Sequence, residues 1–287
     1  MRTRFKVPLS IERKKKWHFL GYYLKMYTSI IKNHFSDFTY LDGFAGPGKY
    51  STSKIFGSPL IALSTKFPFT RYFFVEKCPE VYKELDKNIK EFCSENKIEA
   101  IIGNKKSSYK TECEINDPIE GDINEWIDHI LKQIPTNSRI FAFMDPQGLE
   151  LNWSTIEKIS KRHSELLEYY PIMGIYRTTG KCEAEGSARD KFFGTHDWIK
   201  QSQTNEALLD YYINRLKSLY TYVVKTPPIK NLKNSKIYCL LFATDSKLAK
   251  DLWEKFVIHN CTKIFNEEDV PAYLEKECKQ ATLTKYL

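Results

Sequence analysis

A glycine-rich stretch follows an apolar run and has the residue types of a ligand-binding loop. Its seven consecutive residues are Asp42, Gly43, Phe44, Ala45, Gly46, Pro47 and Gly48. Glycines let the backbone approach a ligand without an intervening Cβ atom. Loops that bind a dinucleotide pyrophosphate have the pattern G-x-G-x-x-G, whereas this loop has G-x-x-G-x-G. Its proline has no N–H to donate to a phosphate, and the acid before it would repel one. The loop therefore suits a cationic or amine-bearing ligand, and S-adenosylmethionine (SAM), with its sulfonium and ammonium groups, has this chemistry.

Two further acids stand at the ends of predicted strands, where doubly wound sheets bind ligands, and a third lies between predicted strands three and four. Glu76 ends the second strand, where a carboxylate can accept both ribose hydroxyls of an adenosine. Asp122 lies before the fourth strand and could accept the adenine amino group. Asp145 and the carbonyl of Pro146 could accept the hydrogens of a target amine. The catalytic candidates are thus Asp145 and Pro146, and the cofactor-binding candidates are Asp42, Gly43, Phe44, Ala45, Gly46, Gly48, Glu76 and Asp122.

Each of these acids also has a purely structural interpretation. An acid after a strand is often a helix cap, so Asp145 could cap a turn and Asp122 could cap the helix that follows it. Glu76 could pair with a neighbouring cation, Lys77 or Arg71. The order of the motifs along the chain is more specific than any single motif.

The elements that must position these residues alternate between strand-like and helix-like runs, which is typical of a doubly wound α/β sheet. Strands are predicted at residues 38–42, 71–76, 100–103, 139–145, 166–176, 220–224 and 237–242, the last two as an antiparallel hairpin. Helices are predicted at 11–33, 58–67, 79–96, 124–134, 153–162, 206–219 and 248–258.

The pattern predicts an α/β fold, a doubly wound seven-stranded Rossmann-like sheet of the SAM methyltransferase type, in a single domain over residues 1–287. It would have an N-terminal helical region over 1–36, an inserted loop or lid after strand five over 178–205, and a helical C-terminal tail over 259–287. The polar stretch between residues 103 and 121 is expected to be a surface insertion, because long structureless loops are uncommon in compact domains.

Composition excludes some classes of function. The formal net charge of +8, from 44 Lys+Arg against 36 Asp+Glu, permits DNA or RNA as a partner without requiring either. The seven cysteines show no C-x-x-C spacing, which is typical of reduced thiols, and no metal site is expected. The first residues lack the apolar segment of a secretory signal, and no run is long enough to span a membrane. We expect a cytoplasmic protein.

Five charged or titratable residues outside the motifs have two interpretations each. Arg177, Arg189 and Lys191 could contact phosphates, or they could belong to a solvated loop. His163 and His196 are candidates for a general base, although a lone histidine is more often structural.

Several segments of the chain carry a family resemblance. They are YLDGFAGPG at 40–48, GSP at 57–59, FVEK at 74–77, DPQG at 145–148, FFG at 192–194 with Trp198, and YCLLFAT at 238–244. Together they resemble the three-Cys-motif partner protein family, TcmP, over most of the chain. The resemblance implies a methyltransferase-like fold, a bacterial or phage origin, and a genomically neighbouring three-Cys-motif protein as partner.

The DPQG segment is also similar to the Asp-Pro-Phe-Gly of tRNA guanosine N2-dimethyltransferases, with Gln147 in place of Phe. DNA amino-methyltransferases usually carry an aromatic residue that stacks on the flipped base, and Gly148 stands in that place here. A stacking ring would come from Phe44, Trp153 or Tyr176.

Two classes of function therefore remain open. The first is a SAM-dependent methyltransferase acting on a nitrogen of a nucleobase in DNA or RNA. The second is a catalytically inactive SAM-fold module that binds a partner protein or nucleic acid, in phage defence. A nucleotide-binding dehydrogenase is disfavoured by the acidic, proline-bearing loop.

Overall fold

The computed structural model describes residues 11–50, 55–96, 101–102, 105–106, 113–178, 184–230 and 235–255, and the structural statements below refer to these. The predicted tail over 259–287 lies outside the described residues. The strands are β1 (Phe38–Asp42), β2 (Lys49–Tyr50), β3 (Ile55–Phe56), β4 (Arg71–Glu76), β5 (Ile101–Ile102), β6 (Lys105–Lys106), β7 (Glu114–Ile115), β8 (Ile119–Glu120), β9 (Arg139–Met144), β10 (Ser164–Tyr170), β11 (Tyr222–Lys225), β12 (Ile229–Lys230) and β13 (Lys236–Thr244). The helices are α1 (Ile11–Ile31), α2 (Ser58–Leu63), α3 (Pro79–Asn96), α4 (Ile123–Gln133), α5 (Trp153–Ser160), α6 (Ile172–Arg177), α7 (Ala188–Phe193), α8 (Asn205–Leu216) and α9 (Lys247–Trp253), with a 3-10 turn at Asp197–Lys200.

The central sheet follows the strand order β7-β4-β1-β9-β10-β13-β11. The strands from β7 to β10 are parallel, and β13 is antiparallel to both β10 and β11. β8 continues the pairing along the outer edge of β4. Counted along the chain, the order is 3-2-1-4-5-7-6 with strand seven reversed. The predicted doubly wound sheet and its terminal hairpin are confirmed, and the switch point lies between the carboxyl ends of β1 and β9.

Helices cover both faces of this sheet. All five residues of β1 are buried, as a central parallel strand requires. Side chains alternate along it, so that Tyr40 packs into a cluster with α1, α2, α3 and α9, and Leu41 packs into a cluster with α4, α5, α7 and α8. The predicted N-terminal helix is confirmed as α1. No helix in the described part of the chain is long and apolar enough to cross a membrane.

The third strand of the sheet lies later in the chain than predicted. β5, at the predicted place, pairs antiparallel with β6 in a separate ribbon. The outer edge of β4 is occupied by β7 and β8, within the stretch that we expected to be an insertion. Arg71 and Glu114 pair across this edge, with Nε and Oε2 2.9 Å apart. Two-residue strands carry too little alternation for a sequence pattern to reveal them.

Strand five is shorter than predicted, and the chain after it is helical. β10 ends at Tyr170, and Pro171, which has no N–H to donate to a sheet, precedes α6. The predicted strand over 166–176 is therefore wrong in its second half. A short apolar run does not distinguish a buried strand from a buried helix.

The segment after strand five carries helical structure where a loop or lid was expected. α7 and the 3-10 turn bury Phe192, Phe193 and Trp198 in the cluster that α8 also joins. Ser187 caps α7 by accepting the backbone N–H of Asp190. Two of these aromatic residues are adjacent and the third follows five positions later in a polar stretch, so they show no helical or strand periodicity that would predict their common burial.

Candidate cofactor site

The glycine-rich loop joins three strands of the sheet at their carboxyl ends. The N–H of Gly43 donates to the carbonyl of Phe143 in β9 (3.1 Å), and the N–H of Ala45 donates to the carbonyl of Val75 in β4 (2.9 Å). Gly46 and Gly48 have φ values of 62° and 73°, a backbone conformation that favours glycine. The loop after β1 is thereby held over the switch point of the sheet.

Gly43 packs closely on two neighbouring side chains. A Cβ atom at this position would lie 2.5 Å from Sδ of Met144 and 3.1 Å from Cγ1 of Ile123. The loop therefore contacts the last residue of β9 and the first residue of α4. A larger residue at position 43 would require the flexible end of the Met144 side chain to move.

Asp42 is the buried acid of the site. It is fully buried, and its Oδ1 accepts the N–H of Phe44 at 3.2 Å. Among the described residues, its Oδ2 makes no hydrogen bond of normal geometry, although the hydroxyls of Ser58 and Tyr40 interact with this carboxyl group. Burial raises the pKa of Asp42 to about 7, against the lowering effects of the Ser58 hydroxyl and the Phe44 N–H and with help from the charges of Asp145 and Glu76. An unpaired buried carboxylate is costly, so this oxygen suits a cationic or hydrogen-donating partner.

Glu76 binds the loop backbone with both of its carboxylate oxygens. Oε2 accepts the N–H of Gly46 at 2.9 Å, and Oε1 accepts the N–H of Cys78 at 2.8 Å. Its backbone carbonyl accepts the N–H of Gly121 at 3.0 Å. Glu76 therefore lies beside the loop and supports its geometry rather than pairing with Lys77 or Arg71, and its contact with a ribose stays a prediction.

Asp122 caps α4 and also forms an ion pair. Its Oδ1 accepts the N–H of Asn124 at 2.9 Å, and its Oδ2 lies 2.6 Å from Nζ of Lys77. Burial acts to raise the pKa of Asp122, but the hydrogen bonds from Lys77 and Asn124 outweigh it and lower that pKa. Asp122 therefore has the structural role of a cap, and its contact with a cofactor stays a prediction.

Asp145 and Pro146 follow β9 at the other side of the switch point. Asp145 is half-buried and Pro146 is buried, and the charge of Asp145 contributes to the raised pKa of Asp42. The chain then passes close to α6, because a Cβ atom on Gly174 would lie 3.2 Å from Cα of Gly148. The structure thus brings the predicted catalytic and cofactor residues to one edge of the sheet.

Three other sequence candidates are not available for the roles considered. Trp153 is 2% exposed and stacks under the guanidinium of Arg215, so it cannot stack on a base. Arg189 is 1% exposed and donates to the carbonyl of Ile175 at 2.6 Å, so it does not contact phosphate. His163 precedes β10 and lies at the amino ends of the strands, opposite the site.

Asn124 is a residue of this site that sequence reasoning missed. Its side-chain amide donates to Asp122 and to the carbonyl of Glu150, both at 2.7 Å, and its Oδ1 accepts the N–H of Asn152 at 2.9 Å. It links the starts of α4 and α5. The only sequence signal was its place two residues after Asp122. In the described part of the chain, no group of three or more His, Cys, Asp or Glu side chains is arranged to hold a metal.

Ser58, at the start of α2, also interacts with the site. The cap is Gly57, which makes no side-chain hydrogen bond, and Ser58 is the first residue of the helix. Its hydroxyl instead lowers the pKa of Asp42. The helix also ends at Leu63, earlier than predicted.

The strand order, the reversed seventh strand and the loop after strand one define the class of protein. The chain has a class I methyltransferase-like fold, a Rossmann-like α/β sheet with its candidate site at the switch point. No family model matches the sequence, and no curated protein is significantly similar to it.

Several solved structures are similar to the chain. A Legionella pneumophila protein of the DUF519 family is 12% identical over 89% of this chain and 91% of its own, with a TM-score of 0.49. A putative O-methyltransferase from Klebsiella pneumoniae is 9% identical over 77% of this chain and 79% of its own, with a TM-score of 0.41. The small RNA methyltransferase HEN1 is 11% identical over 79% of this chain and 26% of its own, with a TM-score of 0.41.

Proposed function

We propose that the chain is a SAM-dependent methyltransferase that methylates an amino nitrogen of a nucleobase in DNA or RNA. The observation that carries this proposal is Asp42, whose buried Oδ2 makes no hydrogen bond of normal geometry among the described residues and lies at the start of a glycine loop over the switch point. A buried acid beside a loop with few free N–H groups fits a cationic ligand and disfavours a phosphate.

The residues around the loop fit SAM. Asp42 would face its ammonium group, directly or through water, and Gly43, Phe44, Ala45, Gly46 and Gly48 would shape the loop around it. Glu76 would accept the ribose hydroxyls, exchanging part of its hydrogen bonding to Gly46 and Cys78. Asp122 would accept the adenine amino group in place of the ammonium of Lys77. When bound, SAM supplies a methyl group activated by a sulfonium.

Asp145 and the Pro146 carbonyl would hold the acceptor. An exocyclic amine presents two N–H donors, and a carboxylate and a carbonyl satisfy both. These residues would position the amine for in-line transfer of the methyl group. Phe44, which is half-buried, and Tyr176, which is 63% exposed, remain as rings that could stack on the base.

The first test is SAM binding by isothermal titration calorimetry. We expect micromolar affinity in the wild type and a loss of about tenfold or more in Glu76→Ala, because the variant removes a charged acceptor. Glu120→Ala, an exposed acid on β8, is the matched control and should bind as the wild type does. An absence of binding at millimolar SAM would refute the proposal for the isolated chain.

The second test separates binding from turnover. Asp145→Ala should retain SAM affinity and lose methyl transfer to DNA, tRNA or rRNA, because it removes only the acceptor-side carboxylate. Turnover would be followed by transfer of a labelled methyl group. Undiminished turnover in this variant would show that Asp145 does not orient the acceptor.

A second candidate function is a catalytically inactive SAM-fold module. The engagement of Glu76 by two backbone N–H groups and of Asp122 by Lys77 favours it, because these acids are already satisfied without a cofactor. In this function the chain would act with a three-Cys-motif partner, as a TcmP-type protein. The two would meet in the cytoplasm of a bacterium or of its phage-infected form, where thiols such as Cys93 and Cys239 stay reduced. Retained SAM affinity without methyl transfer to any polymer, with or without the partner, would support it.

A further inference from the structure

Trp126 lies beside the segment that would hold the adenine of the cofactor. It is in the first turn of α4, and its indole lies against the backbone of Gly121. A Cβ atom on Gly121 would lie 2.2 Å from Nε1 and 2.5 Å from Cδ1 of the indole. The pyrrole edge of the ring therefore packs on the residue that directly precedes Asp122.

Gly121 is held between the two acids that would bind the adenosine part of the cofactor. Its N–H donates to the carbonyl of Glu76 at 3.0 Å, at the end of the pairing of β4 with β8. Asp122, the next residue, caps α4 and keeps 17% of its side chain exposed. The indole of Trp126 therefore packs on a residue that is joined to Glu76 by a hydrogen bond and to Asp122 by a peptide bond.

Trp126 differs from the other four tryptophans of the chain in its exposure and in its hydrogen bonding. It is 36% exposed, whereas the others, Trp17, Trp153, Trp198 and Trp253, are 6% exposed or less. The indole N–H groups of Trp153 and Trp198 donate to carboxylates, but the N–H of Trp126 has no hydrogen-bond partner among the described residues. A large ring at the surface with an unused donor suits contact with a ligand that has an apolar face and an acceptor.

An acceptor and a donor next to each other match the hydrogen-bonding edge of adenine. The ionised carboxyl group of Asp122 only accepts hydrogen bonds, and the indole of Trp126 only donates one. Adenine presents an amino group with an accepting ring nitrogen beside it. Hypoxanthine presents an oxo group and a protonated N1 in the same places. The pair would therefore favour an adenine over an oxopurine.

We propose that Trp126 is a further cofactor-binding residue, which borders the adenine of SAM and donates its indole N–H to a ring nitrogen while Asp122 accepts the amino group. The proposal rests on the proposed SAM-dependent function, and it names the residue that makes the cofactor site specific for adenine. Gly121 is a positioning residue, because a residue without a side chain lets the indole lie this close to the backbone. The ammonium of Lys77, which is 72% exposed, would leave Asp122 for solvent.

The first experiment uses the exposure of this one indole. S-adenosylhomocysteine, which carries the same adenine as SAM, should change the tryptophan emission of the wild type and reduce its quenching by acrylamide. Both effects should be lost in Trp126→Phe, because the four remaining tryptophans are buried. His129→Gln is the control and should respond as the wild type does, although it replaces the ring in edge-to-face contact with the indole, 5.4 Å between centroids.

The second experiment measures selectivity for adenine by isothermal titration calorimetry. S-inosylhomocysteine, in which an oxo group replaces the amino group, is compared with S-adenosylhomocysteine. The preference of the wild type for the adenine ligand should fall about tenfold in Trp126→Phe, the worth of one hydrogen bond. A merely structural role of the indole at the start of α4 would instead weaken the binding of both ligands equally. Gly121→Ala is a second variant, which keeps the tryptophan but displaces its ring, and it should also reduce the preference.

The outcomes separate the role of Trp126 from the proposed function. Binding of SAM with an unchanged tryptophan emission, or with an undiminished preference for adenine in both variants, would overturn the role of Trp126 and leave the methyltransferase proposal standing. If neither SAM nor S-adenosylhomocysteine binds the wild type, the cofactor itself is wrong and the role of Trp126 falls with it. Urea unfolding of each variant checks that a loss of binding is not a loss of the fold.

Discussion

Glu168 shows how single buried acids couple the stability of this protein to pH. It lies in β10, fully buried, and accepts hydrogen bonds from the Tyr212 hydroxyl at 2.8 and 3.0 Å. Burial raises its pKa to about 8, and burial likewise raises the pKa of Glu165 and of Asp42 to about 7 each. In the unfolded chain these three carboxyl groups ionise near pH 4. The folded state therefore holds more protons between these values, and stability is lost as the pH rises from about 4 through 7 to 8.

Replacement of Glu168 by glutamine isolates one of these contributions. Glu168→Gln keeps an acceptor for Tyr212 but does not ionise, so its free energy of unfolding should fall less steeply with pH, by up to about 1.4 kcal/mol per pH unit. Urea unfolding of both proteins from pH 5.5 to 8.5 measures the difference. Glu125→Gln, an exposed site on α4, should not change the slope. Equal slopes for wild type and Glu168→Gln would mean that Glu168 is ionised in the folded state.

At the scale of elements, the junction between α5 and α7 depends on one glycine. Gly194 ends α7 in the left-handed conformation, with φ of 70°, and lies against the Trp153 indole. Gly186 has a similar φ of 79°, but no atom lies within 4 Å of the position of its Cβ. The two glycines therefore separate backbone strain from steric contact.

We expect Gly186→Ala to cost about 1–2 kcal/mol of stability, since a left-handed alanine is strained. Gly194→Ala should cost roughly 1–3 kcal/mol more, because the added methyl group also overpacks the Trp153 ring. Denaturant midpoints of both variants measure this. Equal losses would show that the junction moves apart at little cost.

At the scale of the whole molecule, the basic residues include buried ones with a structural role and exposed ones that a polyanion could contact. Arg189 is buried, donates to the carbonyl of Ile175 and the hydroxyl of Thr178, and lies over the Trp198 ring. Arg177 and Lys191 are exposed nearby. The net charge of +8 therefore does not by itself measure the charge that a polyanion could meet.

Variants of these two arginines should have opposite effects. Arg177→Ala should weaken binding of an oligonucleotide and reduce the slope of log K against log salt by about 1, with little change in stability. Arg189→Lys should lower stability by about 2–3 kcal/mol, because lysine cannot reproduce the guanidinium hydrogen bonds. Fluorescence anisotropy at several salt concentrations and urea unfolding test the pair. An unchanged salt slope in Arg177→Ala would remove Arg177 from any nucleic-acid surface.

The sequence by itself determined the elements whose signals are local. β1, β4 and α3 have the predicted bounds, because strong apolar periodicity ends there at glycine, at a charged residue or at a capping turn. The alternation of strands and helices sufficed to predict the doubly wound class. The ligand site predicted at the glycine loop after β1 stays a prediction.

Only the tertiary structure decided the roles of strands and residues whose local sequence signals are weak. β7 and β8 became the third strand because the open edge of β4 needed partners for its N–H and C=O groups. Arg189 became buried because Ile175, Thr178 and Trp198 satisfy it from other parts of the chain. His196 acquired its orientation from Asp190, and Asn124 joined two helix starts. Such roles depend on distances between residues remote in sequence, and residue type and spacing do not encode those distances.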